Sequence, residues 1–140
     1  MATKKLKTTT DYDFLLVAIV CPENDYRLCR EINIKLRIPM KRAKTDIEHF
    51  PPGKKLSVFS LFEYLPGDNE PQYNLISNKS SGELLVPAFK RVDYFLRIKG
   101  PSSLIQREKI LLSLSEIPFV LSAFEAPPEK IKSKEILLLS

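Results

Sequence analysis

At 140 residues the chain has the size of one ordinary domain, and 44% hydrophobic with 28% charged residues excludes a disordered polar chain. Two cysteines and one histidine exclude a zinc site closed by four thiol and imidazole ligands, so Cys21 and Cys29 are expected as reduced, packed thiols and no metal or cofactor is expected. The net charge of +5 falls to +2 without Lys4, Lys5 and Lys7, and the remaining cations are dispersed except at Lys41, Arg42 and Lys44.

Residues 1–10 carry no apolar period and predict a flexible basic leader, followed by a single domain over 11–140. The run from Phe14 to Cys21 is apolar without alternation, which predicts a central strand covered on both faces. Behind three lysines it imitates a signal peptide, but Asp11 and Asp13 open it and no small-residue cleavage site follows. Eight apolar residues are also too few to span a bilayer as a helix. The expectation is a cytoplasmic protein with no membrane partner.

Pro22 ends the strand, and Asn24 or Asp25 caps a helix in which Leu28, Ile32 and Leu36 recur every four residues. Pro39 disfavours helix at Ile38 and sets its end. The stretch from Pro39 to Lys55, with the lone His49, is read only as a long excursion or an irregular edge strand. Leu56 to Leu65 reads as a strand, Pro66-Gly67-Asp68-Asn69 as a turn, and Tyr73 to Ser77 as an antiparallel return. After a turn at 78–82, Leu84 to Val86 is expected to extend the sheet.

From Val92 to Lys99 the residues alternate cleanly. Val92, Tyr94, Leu96 and Ile98 are expected on one face, with Asp93, Phe95, Arg97 and Lys99 on the other. Gly100-Pro101 is read as the stop. Ser103 with Gln106 predicts a capping box opening a second helix, with Leu104, Leu111, Ile105 and Leu112 on its apolar stripe. Phe119 to Phe124 reads as a mostly buried strand, and Ile136 to Leu139 as a C-terminal docking tail. This order predicts an α+β fold: a two-layer sandwich on the ferredoxin-like, split βαβ plan with an extra strand, two helices lying on one face of a mainly antiparallel sheet.

Asp25-Tyr26-Arg27-Leu28-Cys29, Leu75-Ile76-Ser77-Asn78-Lys79 and Val92-Asp93-Tyr94-Phe95-Leu96 together resemble the IPExxxVDY family of small Bacteroidota proteins, over about Asp11 to Lys134. The motif that names the family is Ile-Pro-Glu, three arbitrary residues, then Val-Asp-Tyr. It stands here as Val86-Pro87-Ala88, Phe89-Lys90-Arg91, Val92-Asp93-Tyr94, with Ala88 in place of the acid. The resemblance implies a single bacterial cytoplasmic domain and brings no activity with it.

No residue set has the spacing of a catalytic constellation, so no catalytic residue is assigned. Asp93, Tyr94 and Arg97 on one strand, Asp25 at a helix start, and Asn78 and Lys79 in an anion-binding type of turn are the candidate ligand-binding residues. A structural role weighs more for each, since Asp93 has no second catalytic group beside it. Asp11 and Asp13 share a strand face but lack a third cation ligand. The favoured function is a non-enzymatic binding or assembly module, acting as a homodimer that buries Phe59, Leu61, Phe95 and Leu137 to Leu139 between copies. The alternative is an RNA-binding protein using Lys41, Arg42, Lys44 and an open sheet face.

Overall fold

The computed structural model describes residues 12–50, 53–127, 130, 131 and 136, and the side chains of Tyr12 and Asp13 are outside that description. The leader at 1–10, the Asp11–Asp13 pair and Leu137 to Leu139 therefore lie outside the described residues. Among those described, no helix is long and apolar enough to cross a membrane.

The chain is mixed α/β, with two helices and a mainly antiparallel sheet. Strand β1 (Tyr12–Val20) leads to helix α1 (Asp25–Leu36), then the short strands β2 (Lys41–Arg42), β3 (Ile47–His49) and β4 (Ser57–Phe59). Next come β5 (Leu61–Tyr64), β6 (Gln72–Ser77), β7 (Lys79–Ser80), β8 (Glu83–Leu84) and β9 (Tyr94–Pro101). A single 3₁₀ turn, helix α2 (Arg107–Ser115) and β10 (Ser122–Glu125) follow. Six strands form one sheet in the order β10-β1-β9-β6-β5-β2, every pairing antiparallel. β3 with β4 and β7 with β8 make two small separate hairpins.

The central position of β1 explains its composition. Leu15, Val17 and Ile19 meet Leu28 and Ile32 of α1 and Ile110 and Leu114 of α2 in one core. Leu16 and Ala18 face the other way, into a second core with Ile47, Phe59, Leu85, Val86 and Phe95. Five consecutive residues, Leu15 to Ile19, are consequently fully buried, as the unalternating run requires.

That second core corrects the expectation of an open sheet face. The β3–β4 hairpin and the segment after β8 cover it, with Ile131 and Ile136 from the C-terminal segment. Phe59, Leu61 and Phe95 are buried within the chain, so they are not left over for a second copy. Leu85 and Val86 reach this core by packing onto the sheet; they do not extend it.

Other boundaries moved for local reasons. α1 is capped by Asn24, whose side chain accepts the Arg27 N–H at 3.1 Å, and it ends when Arg37 turns left-handed. The expected capping box does not form: Ser102–Leu104 is the 3₁₀ turn, and α2 starts behind Gln106 without a side-chain cap. Its buried side chains are Ile110 and Leu114, whereas Leu104 and Leu112 are exposed.

Gly100 lies inside β9 and does not stop it. A Cβ there would stand 2.7 Å from Pro71 Cα, so only glycine lets the two backbones approach. Leu56 to Leu65 is divided at Ser60 between two sheets. The last strand, expected to be buried, is an exposed sheet edge: Leu121 before it and Phe124 within it are 71% and 41% exposed.

Candidate functional site

The alternation around the Val-Asp-Tyr motif breaks one residue before the strand begins. Tyr94, Leu96 and Ile98 face the helices as expected, but Val92 packs into the second core beside Phe95. This rotation frees Asp93 to leave the sheet plane and reach the β1–α1 loop. One carboxylate oxygen, Oδ2, accepts the Cys21 N–H at 2.8 Å, and Oδ1 pairs with Lys79 Nζ at 2.9 Å. The Asp93 main chain donates to Ile19 and accepts from Asn78, tying β1 to the end of β6. Tyr94 completes the grip, its hydroxyl donating to the Glu23 carbonyl at 2.5 Å.

Asn78 organises the loop that carries the rest of the motif. Its Nδ2 donates to the carbonyls of Phe89 and Val92, at 3.0 and 2.8 Å, and its Oδ1 accepts the Val86 N–H at 2.8 Å. The side chain is fully buried, so these bonds satisfy a group that has no water to turn to. Two successive turns, Phe89 N–H to Val86 and Val92 N–H to Phe89, fold the loop around it. Pro87 and Ala88 point into solvent, so packing does not fix the residue at position 88.

Asn78, Lys79, Asp93 and Tyr94 thus come together at one end of the sheet, and the Asp25 charge is felt by the Tyr94 phenol. Burial is the main force that pushes this phenol up, with Cys21, Asp25 and Asp93 acting in the same direction. Cys21 is also raised by burial, which outweighs the hydrogen bond from the Glu23 backbone. The carboxylate, with both oxygens engaged by Cys21 N–H and Lys79, makes a clamp on the β1–α1 loop.

Arg97 stands apart from this group, correcting the expected pairing with Asp93 on one face. It is buried on the second face, its Nη1 donating to Asn74 Oδ1 at 2.9 Å, its guanidinium 5.0 Å from the Phe14 ring centre. Burial pulls this guanidinium down to about 10. Beside it, the Nδ2 of Asn74 and the Nε2 of Gln72 are buried without an acceptor among the described residues.

The basic loop is split in role. Arg42 chelates Asp46, at 3.0 and 2.7 Å, and lies over the Phe62 ring, whereas Lys41 and Lys44 are exposed along a shallow groove that also contains Glu63. An RNA-stacking surface would need the second sheet face, and the chain's own side chains fill it. His49 is half-buried with its ring 6.4 Å from that of Phe59. Among the described residues no three His, Cys, Asp or Glu side chains converge to hold a metal ion.

Two features escaped the sequence reading. One is the exposed β10 edge; the other is a cavity of about 490 Å³ between the end of α1 and the start of α2, lined by Lys35, Arg37 and Lys109. Neither had a motif to announce it, although Arg37 just past a regular helix was the residue to ask about. No family model, curated protein or solved structure matches the chain.

Proposed function

We propose that the protein is a non-enzymatic assembly module that works as a homodimer, two copies joining through β10. The observation that carries this is the inequality of the two sheet edges. At one end β2 is only two residues long and exposed, with Lys41 presenting a charge to an incoming strand and Arg42 paired with Asp46. At the other end β10 offers four residues of edge that no described strand pairs with, and Leu121 and Phe124 are exposed there. The one charge on β10, Glu125, is neutralised by Arg107 of the same chain.

An edge of this kind can pair with a copy of itself in antiparallel fashion about a twofold axis. Because β2 cannot serve as a second joint, the assembly closes at two copies and does not grow into a filament.

The motif residues support reading the chain as a cytoplasmic bacterial member of the IPExxxVDY family. The strand order β10-β1-β9-β6, with α1 crossing from β1 and α2 from β9, supports reading the centre as a ferredoxin-like split βαβ unit with β5 and β2 added.

The test is Leu121→Lys combined with Phe124→Lys, measured by light scattering after size exclusion. The variant is expected to run at half the parent's mass with an unchanged circular dichroism spectrum. A variant that keeps the parent's mass overturns the reading.

A further inference from the structure

The cavity between the helices shares no lining residue with the Asp93 clamp or with β10. Its walls come from the last turn of α1 and the first turn of α2, with Tyr73 of β6 behind them. Arg37 enters it from a left-handed backbone, φ 58° and ψ 50°, at the position after the helix where glycine fits without steric cost. Lys109 lines it from α2, and both cations are solvent-exposed. No ion pair engages Arg37 or Lys109 among the described residues, whereas Lys35 is held 3.6 Å from Glu116.

Gln106 precedes α2 without capping it, so its amide is available to the cavity, and the N–H groups of the first turn have no acceptor within the helix. Glu108 in that turn does not line the cavity but an adjoining depression that shares Gln106 and Lys109 with it. Leu104 and the Tyr73 ring supply apolar surface, and about 490 Å³ is the volume of a small-molecule site.

We propose that this cavity binds a small phosphomonoester. Its phosphate is held between Arg37 and Lys109 with the Gln106 amide, and its apolar body lies on Leu104 and Tyr73. A dianion with three acceptor oxygens answers two cations and an amide donor better than a carboxylate does.

The test titrates phenyl phosphate, inorganic phosphate and benzoate into the full-length protein, following backbone and Gln side-chain amides by NMR. Saturable shifts are expected at Gln106 and the first turn of α2, strongest for phenyl phosphate and weakest for benzoate. Arg37→Gly relieves the left-handed strain while removing the guanidinium, so it should melt no lower than the parent yet bind phenyl phosphate roughly tenfold more weakly. Lys109→Gln, on a solvent-facing helix position, should weaken binding similarly. Shifts absent at millimolar phenyl phosphate, centred elsewhere, or of unchanged affinity in both variants overturn the proposal.

Discussion

Asn78 shows how much of the fold one side chain can hold. It satisfies Val86, Phe89 and Val92 at once, three backbone groups of a loop with no ladder of its own. Replacing it with leucine, which keeps the branching at Cγ but no polar atom, leaves those groups buried and unpaired. Asn78→Leu is expected to cost about 3–5 kcal/mol in urea unfolding, several times an exposed substitution.

Cys29 makes a different kind of prediction. Burial, with the Asp25 charge adding to it, pushes this thiol from 9.0 up to about 11. Between those values the unfolded chain has lost a proton that the folded chain keeps, so folding stability falls as pH rises through this window. Below pH 9 the thiol contributes no slope. Cys29→Ala removes the effect, and the stability gap between parent and variant should narrow by on the order of 2 kcal/mol from pH 8 to pH 10.5. Equilibrium unfolding at the two pH values reads it directly.

The Val-Asp-Tyr motif was legible as an important place and illegible as to role. Alternation placed the Asp93 carboxylate on one face of the Val92 to Lys99 strand. It gave no sign that Cys21 N–H and Lys79 would take both oxygens, because those partners lie 72 and 14 positions away in sequence.

At the level of elements, periodicity told where strands and helices run better than what covers them. The unalternating β1 and the four-residue spacing of α1 follow directly from being a two-sided and a one-sided element. β10 misled because a short apolar run looks the same in a central strand and on an edge; only the sheet order separates the two. α2 misled because the Ser103–Gln106 spacing fits a capping box, while Ile105 is drawn into the core and the chain makes a 3₁₀ turn first.

Two described residues near the C-terminus, Ile131 and Ile136, belong to the second core, at 2% and 0% exposed. Ile136→Ala is therefore expected to lower stability by about 2–4 kcal/mol, the cost of a cavity in a packed core. A thermal or urea midpoint indistinguishable from the parent would show that this contact does not hold the fold.

For the whole molecule, the apolar surplus seen in the sequence is real but is mostly spent inside one chain. Phe59, Leu61 and Phe95 fill a second core that an ordinary two-layer plan lacks, which removes the face first expected to join two copies. Of the apolar side chains that remain uncovered among the described residues, Leu121 and Phe124 lie at the β10 edge, whereas β2 at the far edge is only two residues long. That inequality, more than any side-chain cluster, is what the fold offers a partner. The phosphate cavity and the β10 edge involve separate residues, so either can fail without the other.

The most direct test of the central claim is the molar mass of the unmodified protein across micromolar concentrations, measured by light scattering. The account predicts a mass of twice 16.1 kDa that persists on dilution into the low micromolar range and in moderate salt. A mass of 16.1 kDa throughout that range would contradict it.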